Sequence, residues 1–296
     1  MANYQIFSDG ACDIGEERAK EFDISLIPFY VSLDHIEYLK EVEEISLKEY
    51  YSYMTEHKGY PKTSLPAVQD FIDAFRPTLE EGNDVICTTI TTSLSSSLQS
   101  ATTAKLMLQE EFPNAKIYII NSWNISGTET LLLMEMAKMK AAGKTIDEVL
   151  EYVEKAKVDA RIHFMVGDLS YLEVGGRIGK IATLSGSILK IKPLIILKSG
   201  EINVGGVVRS RKKGLSKLVD ITKDHFKTTG ENPKDYFALI GTTRVLDEDA
   251  EFEAEFQKSI PDLTFLPSYQ IGAAVASHTG PETIGVCFVK KYEAYQ

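Results

Sequence analysis

A buried strand that runs into a hydroxyl-rich loop and then a helix is the feature that most constrains this fold. The apolar run Val85–Ile90 predicts the strand, and in Thr91–Ser97 every residue except Leu94 carries a hydroxyl group. A helix is predicted next, because small and apolar residues recur at helical spacing from Ala101 to Phe112. Strand–loop–helix units of this kind build parallel α/β sheets.

The hydroxyl loop is a candidate anion site. Ser96 and Gln99 match a capping box, which predicts that the helix begins there. Free N–H groups at a helix N-terminus and side-chain hydroxyls can converge on one anion. The loop lacks the glycines of a dinucleotide or P-loop cradle, which favours a small anion such as a carboxylate over a diphosphate. A capped loop without a ligand fits the same pattern.

Two further segments repeat the pattern of a hydroxyl loop before a helix. Thr63 and Ser64 precede one helix, and the predicted strand Lys116–Ile120 leads through Ser126 into a helix from Leu131. Ligands in parallel sheets bind at the carboxyl ends of the strands. We therefore predict an N-terminal α/β domain with a parallel sheet, helices on both of its faces, and three hydroxyl loops at one edge.

The pattern changes after residue 159. Two apolar runs flank Lys198–Glu201, a short glycine turn that predicts a β-hairpin, and the strands that follow alternate with helices. This mixture predicts a two-layer α+β arrangement. We predict an N-terminal domain over residues 1–159 and a C-terminal domain over residues 160–296.

Charge and composition exclude several classes of protein. The chain has 32 basic and 43 acidic residues, and its net charge of −11 disfavours nucleic acid and anionic membranes as partners. The first residues lack the features of a signal peptide, and no apolar run reaches about 18 residues, so no stable membrane insertion is expected. Three widely separated cysteines argue against a disulfide framework or a zinc site. We expect a cytoplasmic protein.

A histidine and a group of basic residues are further candidates for binding. His278 lies between Gly272 and Gly280, where small neighbours would let a ligand approach and the imidazole could donate to an anion. A packed or surface histidine fits the same pattern. The basic residues are Arg177, Lys180, Arg209, Arg211, Lys212 and Lys213. They predict either a solvated face or a surface that meets a partner or a phosphate.

Motifs for catalysis are mostly missing. The chain has no G-x-S-x-G elbow, although a triad of Ser95, His278 and Asp9 stays open, and it has no GxxxxGK[ST] motif. Histidine and carboxylate spacings do not match a metal site. We therefore predict no metal site.

Several motifs, taken in order, resemble those of the DegV family, the fatty-acid-binding subunits of bacterial fatty-acid kinase. The resemblance extends from Asp9 to Phe288. The motifs are Thr63-Ser64, Leu94-Ser95 with Gln99–Ala101, Leu172–Ile178, Lys192-Pro193, Val208–Lys213, and Ile271-Gly272 with His278–Pro281.

The resemblance implies a two-domain fold with an acyl chain buried between the domains. It also implies a carrier without catalysis of its own. By this resemblance, a separate ATP-dependent kinase subunit phosphorylates the bound fatty acid, and this fatty acid is a ligand, with no cofactor expected. The residues implied to hold the carboxylate are Thr63 or Ser64, Ser95 and His278, with support from Ser96, Ser126, Gly272 and Gly280. Arg177, Arg209 and Arg211 match positions expected to meet the kinase or the new phosphate.

Three segments depart from the usual family motifs: Leu65–Ala67, Ser96–Leu98 and Asn121–Thr130. These departures leave the ligand preference open. The sequence does not indicate the acyl length, because residues that line a tunnel resemble ordinary core residues. It carries no pattern that indicates the oligomeric state. Two other functions remain open. One is a hydrolase or transferase that uses Ser95 and His278 on an acyl or phosphoryl group, and the other is a regulatory module with a vestigial pocket.

Overall fold

The computed structural model describes residues 4–57, 59–184, 191–243 and 247–295. Its strands are β1 (Tyr4–Asp9), β2 (Ile24–Ile27), β3 (Tyr30–Ser32), β4 (Leu39–Lys40), β5 (Lys62–Ser64), β6 (Asp84–Thr89), β7 (Ile117–Asn121), β8 (Arg161–Met165), β9 (Lys192–Lys198), β10 (Glu201–Val208), β11 (Tyr236–Thr242), β12 (Thr264–Phe265), β13 (Tyr269–Gln270) and β14 (Ile284–Lys290). Its helices are α1 (Glu16–Glu21), α2 (Leu47–His57), α3 (Val68–Glu80), α4 (Ser97–Glu111), α5 (Ser126–Ala141), α6 (Ile146–Asp159), α7 (Ser170–Val174), α8 (Arg211–Thr229), α9 (Asp247–Ser259) and α10 (Ala273–Thr279). Within these ranges, no helix combines the length and the apolar character needed to cross a bilayer.

The N-terminal half contains a four-stranded parallel sheet with the strand order β2-β1-β6-β7. Its side chains alternate between two cores, as the pleat of a strand requires. Ile6 and Ile86 belong to the core that includes α5 and α6, whereas Phe7 and Val85 belong to the core that includes α3 and α4. The prediction of a parallel α/β unit with helices on both faces is confirmed.

The C-terminal half contains a seven-stranded mixed sheet. Its order is β10-β9-β8-β14-β11-β12, and β13 also pairs with β11. The first five strands in this order, from β10 to β11, each pair antiparallel with their neighbours in that series. Strands β12 and β13 run parallel to β11. Helices α8 and α9 cover one face through buried residues that include Leu218, Phe252 and Phe256. The predicted hairpin of β9 and β10 and the predicted α+β arrangement are confirmed.

Helix α5 lies between the two sheets. Most of its residues are buried, among them Leu131, Leu132, Leu133 and Met136, and a helix that is buried on every side is enclosed by other elements. The helix contacts β1 of the parallel sheet and β11 and β14 of the mixed sheet. The two sheets therefore share one core. The division into domains at residue 159 remains a prediction.

Two predicted strands are each divided at a proline. The sequence predicts one strand over Ser25–Ser32, but the structure has β2 and β3 in different sheets on either side of Pro28. In the same way, the strand predicted over Thr264–Tyr269 is divided into β12 and β13 around Pro267. Proline has no N–H to donate to a sheet, so it interrupts the hydrogen-bonded ladder.

A small antiparallel sheet, which was not predicted, changes the setting of Thr63 and Ser64. Its strand order is β4-β3-β5, and Thr63 and Ser64 pair with Val31 and Tyr30. These two residues therefore lie on a strand outside the parallel sheet. The prediction of three equivalent loops is wrong for this segment, while the segments of Ser95 and Ser126 do follow the parallel strands β6 and β7.

Two helix starts agree with their sequence signals. Ser46 Oγ accepts a hydrogen bond from the Glu49 N–H at 3.3 Å, and the Ser46 N–H donates to the Glu49 carboxylate at 3.0 Å. Thr145 and Glu148 form the same reciprocal pair. In both places a Ser or Thr is followed by Glu three positions later, which is the sequence pattern of a capping box, and each box satisfies two N–H groups that the helix leaves free.

Candidate functional site

A mostly apolar cavity of about 240 Å³ is lined by residues from both halves of the chain. Its walls include Phe29 and Ile90 from the N-terminal half and Phe164, Leu197 and Ile202 from the C-terminal half. Apolar cavities of about 150 Å³ already stay free of water and accept apolar molecules. A larger cavity with such walls is suited to an apolar ligand.

Six polar residues that the sequence singled out line this cavity, and we call five of them the polar cluster: Thr63, Ser64, Ser95, Arg177 and His278. They come from four segments of the chain. Strand β5 supplies Thr63 and Ser64, the segment before α4 supplies Ser95, the segment after α7 supplies Arg177, and α10 supplies His278. The structure therefore brings together residues that are far apart in sequence.

His278 is the centre of the polar cluster. Its Nε2 atom lies 2.9 Å from Oγ1 of Thr63, and its Nδ1 atom is buried without a hydrogen-bond partner among the described residues. Burial, with a smaller contribution from the positive charge of Arg177, lowers the pKa of His278 to about 4. The imidazole is therefore neutral at physiological pH and keeps both a donor and an acceptor nitrogen.

Gly175 permits the close approach of α7 to the imidazole. A Cβ atom at this position would lie 2.1 Å from Nδ1 of His278, a distance that real Cβ atoms do not reach. Only glycine therefore fits at position 175 of the Gly175-Gly176-Arg177 segment. The end of α7 packs closely against His278, and Arg177 lies beside the cavity.

Arg177 gives the polar cluster a positive charge. Its Nε donates to the Leu94 carbonyl at 3.0 Å and its Nη1 donates to the Gly175 carbonyl at 2.7 Å. Within the described part of the chain, no salt bridge joins Arg177 to a carboxylate. A cation that two carbonyls hold in place, without an anion of the protein beside it, attracts an anionic ligand.

The serine hydroxyls of the polar cluster add neutral donors. Ser95 Oγ accepts a hydrogen bond from the Ser97 N–H at 3.2 Å, which leaves its own O–H available to a ligand. Ser64 Oγ lies 3.5 Å from the Leu65 carbonyl, a weak contact. Helix α4 does begin next to Ser96, but Ser96 makes no capping hydrogen bond. The predicted capping box is wrong there, because Ser95 provides the oxygen at the start of the helix.

Ser126 lines the cavity apart from the polar cluster. Its hydroxyl donates to Oδ2 of Asp13 at 2.5 Å and also lies 2.7 Å from the Tyr269 hydroxyl. Helix α5 begins at Ser126 and not at Leu131 as predicted. The Ser126 hydroxyl is thus engaged within the protein, in keeping with a supporting position.

Gly272 and Gly280 flank α10 and do not line the cavity. A Cβ atom at Gly272 would lie 2.3 Å from Oε1 of Glu41 and 2.5 Å from Oδ1 of Asp13. Glu41 accepts hydrogen bonds from the N–H groups of the first two residues of α10. Gly280 ends the helix with a φ of 82° and packs against Tyr171. Both glycines allow the packing that positions His278.

The two other arginines that the sequence singled out lie outside the cavity lining. Arg209 is exposed. Arg211 forms an ion pair with Glu248 at 2.7 Å and donates to the Glu282 carbonyl at 2.7 Å. Contact of these arginines with a partner or a phosphate remains a prediction.

Ser95, His278 and Asp9 do not form a hydrogen-bonded triad in the described residues. Asp9 Oδ2 accepts a hydrogen bond from the Ile90 N–H at 3.1 Å, and burial raises the pKa of Asp9 to about 7. His278 is bonded to Thr63 through Nε2, and Nδ1 has no partner. The triad that the sequence left open is therefore not assembled. In the same part of the chain, no group of His, Cys, Asp and Glu is arranged to hold a metal ion.

One set of cavity residues was not recognised in the sequence. We call it the apolar row: Ile202, Leu197, Ile162 and Cys287, which are successive cross-strand neighbours on β10, β9, β8 and β14. All four line the cavity. The sequence pattern could not separate them from core residues, because both are apolar positions on buried strands.

Comparisons with known proteins agree with this geometry. The chain matches the model of a family described as "Uncharacterised protein, DegV family" over residues 3–291. A DegV domain-containing protein of Clostridium perfringens is 30% identical over 292 residues, which cover 98% of this chain and 98% of the relative. Another, of Clostridium acetobutylicum, is 30% identical and covers 98% of this chain and 100% of the relative.

Solved structures are similar along the whole chain. A stearic acid-binding protein from Eubacterium ventriosum is 35% identical with a TM-score of 0.94, and the match covers 98% of this chain and 99% of that protein. A fatty-acid-binding DegV family protein from Thermus thermophilus is 27% identical with a TM-score of 0.86, covering 97% and 99%. The two sheets, the cavity and these similarities lead to one conclusion: the chain belongs to the DegV family.

Proposed function

We propose that this protein binds a long-chain fatty acid in the cavity, with the carboxylate at Thr63, Ser64, Ser95 and His278. The observation that carries the proposal is one apolar cavity with the polar cluster in its wall. Neutral hydroxyl and imidazole donors would bind the carboxylate oxygens, and Arg177 would balance the charge. Supporting contacts from Ser126, Gly272 and Gly280 would keep α5 and α10 in place.

The energetics of a fatty acid suit such a site. Burial of about 14 methylenes is worth roughly 11 kcal/mol at about 0.8 kcal/mol each, before the cost of association. A carboxylate removed from water needs several donors to replace its hydration. The hydroxyls of Thr63 and Ser95 and the imidazole of His278 are suitable donors.

The ligands of similar proteins support the proposal. The Eubacterium ventriosum protein is described as stearic acid-binding, and the Thermus thermophilus protein as fatty-acid-binding. Both align with nearly the whole of this chain. A fatty acid is therefore the ligand that the comparisons favour for the cavity.

We further propose that the protein is a carrier that presents the bound carboxylate to a separate ATP-dependent fatty-acid kinase, and that the acyl phosphate then enters phospholipid synthesis. Neutral donors would leave a carboxylate oxygen open to a phosphoryl group more readily than a bidentate arginine clamp would. Arg177 beside the cavity, the exposed Arg209 and Arg211 are candidates for contact with the kinase or the new phosphate. The requirement for ATP is in keeping with a cytoplasmic location.

A hydrolase or transferase that uses Ser95 and His278 is the alternative. It is less favoured, because His278 bonds to Thr63 and nothing among the described residues orients its Nδ1. The variant Ser95→Ala separates the two. If the protein is a carrier, its affinity for palmitate should fall by about tenfold, because one hydrogen bond to a charged group is lost. The measurement is displacement of a fluorescent fatty acid. An enzyme should keep its affinity and lose turnover of an acyl ester, which would contradict the carrier proposal.

A further inference from the structure

Two separate groups of polar side chains line the cavity. The polar cluster holds Thr63 and His278, whereas Ser126, Tyr269 and Cys287 form a second group that we call the Tyr269 end. The Tyr269 hydroxyl lies 2.7 Å from Ser126 Oγ and 3.5 Å from Cys287 Sγ. No hydrogen bond between described residues joins the Tyr269 end to the polar cluster.

The apolar row leads from the segment that follows Arg177 to Tyr269. It starts with Ile202, whose Cγ1 would lie 3.2 Å from a Cβ atom on Gly179, two residues after Arg177. It ends with Cys287, which contacts Tyr269. The four residues of the row lie on four adjacent strands, so the row spans three strand spacings, or about 14 Å. An extended acyl chain can follow it.

Tyr269 is fitted into a slot that two glycines create. A Cβ atom at Gly241 would lie 2.4 Å from the Tyr269 hydroxyl oxygen and 2.5 Å from its Cζ, and a Cβ atom at Gly127 would lie 2.7 Å from the same ring. Gly241 is the parallel cross-strand neighbour of Tyr269. A glycine inside a strand marks a site of close approach, and here the approaching group is the tyrosine ring.

The Tyr269 hydroxyl is held within the protein. It accepts a hydrogen bond from the Gly127 N–H at 2.8 Å and bonds to Ser126 Oγ, which is itself bonded to Asp13. Burial raises the pKa of the phenol well above its usual value, so the group stays neutral. Because its polar atom is engaged, Tyr269 presents the ring rather than a hydrogen-bonding group to the cavity.

We propose that Tyr269 closes the methyl end of the cavity and sets the longest acyl chain that the protein binds well. This inference rests on the proposed function, because it assumes that the carboxylate lies at the polar cluster. The chain would run along the apolar row and stop at the tyrosine ring. The slot and the hydrogen bonds together hold the ring in place. A longer acyl chain could therefore not move the ring aside without breaking its contacts to Ser126 and Gly127.

Displacement of a fluorescent fatty acid by saturated acids from myristic to arachidic tests the proposal. In the unaltered protein, affinity should rise about fourfold per added methylene until the methyl end reaches Tyr269, and then stop rising. Tyr269→Leu should move this limit to a longer acid. Tyr118→Leu, which changes a partly buried tyrosine outside the cavity lining, should keep the limit.

An unchanged limit in folded Tyr269→Leu would overturn the inference and leave the proposed function intact. Absence of binding by every acid would overturn both. A crystal structure of the unaltered protein with bound stearate serves as a second measurement if the leucine variant does not fold. We expect the terminal methyl group against the Tyr269 ring, and a methyl end elsewhere in the cavity would contradict the proposal.

Discussion

The hydroxyl of Thr63 and the imidazole of His278 are joined by a 2.9 Å hydrogen bond across 215 residues of sequence. The bond connects the small antiparallel sheet to α10, and both residues line the cavity. A carboxylate bound beside this pair would find one hydroxyl and one imidazole already oriented. Preorganised donors of this kind reduce the cost of ordering on binding.

We expect Thr63→Val to weaken fatty-acid binding by about tenfold. Valine keeps the shape of threonine but removes the hydroxyl, which leaves Nε2 of the buried His278 unpaired. The measurement is displacement of a fluorescent fatty acid by palmitate. Thr103→Val, which removes a hydroxyl bonded to the Gln99 carbonyl on α4, is the matched control. Equal affinity in the two variants would remove Thr63 from the site.

Gly175→Ala should reduce fatty-acid affinity more than Thr63→Val. The added Cβ would lie 2.1 Å from Nδ1 of His278, so the imidazole or the end of α7 has to move. Gly167→Ala is the control, because its nearest neighbour is the flexible Glu282 side chain at 3.0 Å. Calorimetric titration of both variants measures the effect. A Gly175→Ala protein with normal affinity would show that the position of His278 does not matter for binding.

His278 should remain neutral from pH 8 down to about pH 5. Burial lowers its pKa to about 4, and Arg177 acts in the same direction. The measurement is an NMR titration of the protein with labelled histidines. A His278 imidazole that takes up its proton near pH 6.5 would contradict the buried geometry.

The same depressed pKa makes stability depend on pH. His278 takes up its proton near pH 6.5 in the unfolded chain and only near pH 4 in the folded protein. Its contribution to the free energy of unfolding is therefore complete above pH 6.5 and is lost as the pH falls towards 4. His278→Gln should make the loss of unfolding free energy over this window smaller by about 1–3 kcal/mol. Urea unfolding of both proteins at pH 7 and at pH 4.5 measures it. Identical losses would contradict the assignment.

Charge reversal at Arg209 should separate binding of the lipid from its phosphorylation. Arg209 is exposed and outside the cavity lining, so Arg209→Glu should leave fatty-acid affinity unchanged. If Arg209 meets the kinase, acyl phosphate formation with a purified fatty-acid kinase and ATP should fall by at least tenfold. Lys223→Glu, an exposed change on α8, is the control. Normal phosphorylation of the Arg209→Glu protein would exclude this docking role.

Local signals in the sequence predicted local structure well. The capping boxes at Ser46 and Thr145 involve only residues three positions apart, so both partners are visible in the sequence. The same reasoning failed at Ser96, where the neighbouring Ser95 provides the hydroxyl oxygen that meets the Ser97 N–H. A pattern of residue types identifies the start of the helix but not which of several serines bonds to it.

Contacts between distant segments could not be read in the same way. The resemblance to a family, rather than any spacing, suggested that Thr63 and His278 act together. Glu41 caps α10 from 232 residues away, and nothing near it in sequence signals that role. Ile162 and Leu197 look like core residues, because a cavity wall and a packed core have the same apolar composition.

Mass spectrometry of an organic extract from the purified, denatured protein tests the central proposal most directly. The cavity and its polar cluster predict a long-chain fatty acid in about equal amount to the protein, and less of it from Thr63→Val. An extract without fatty acid, together with no uptake of added palmitate, would contradict the carrier function.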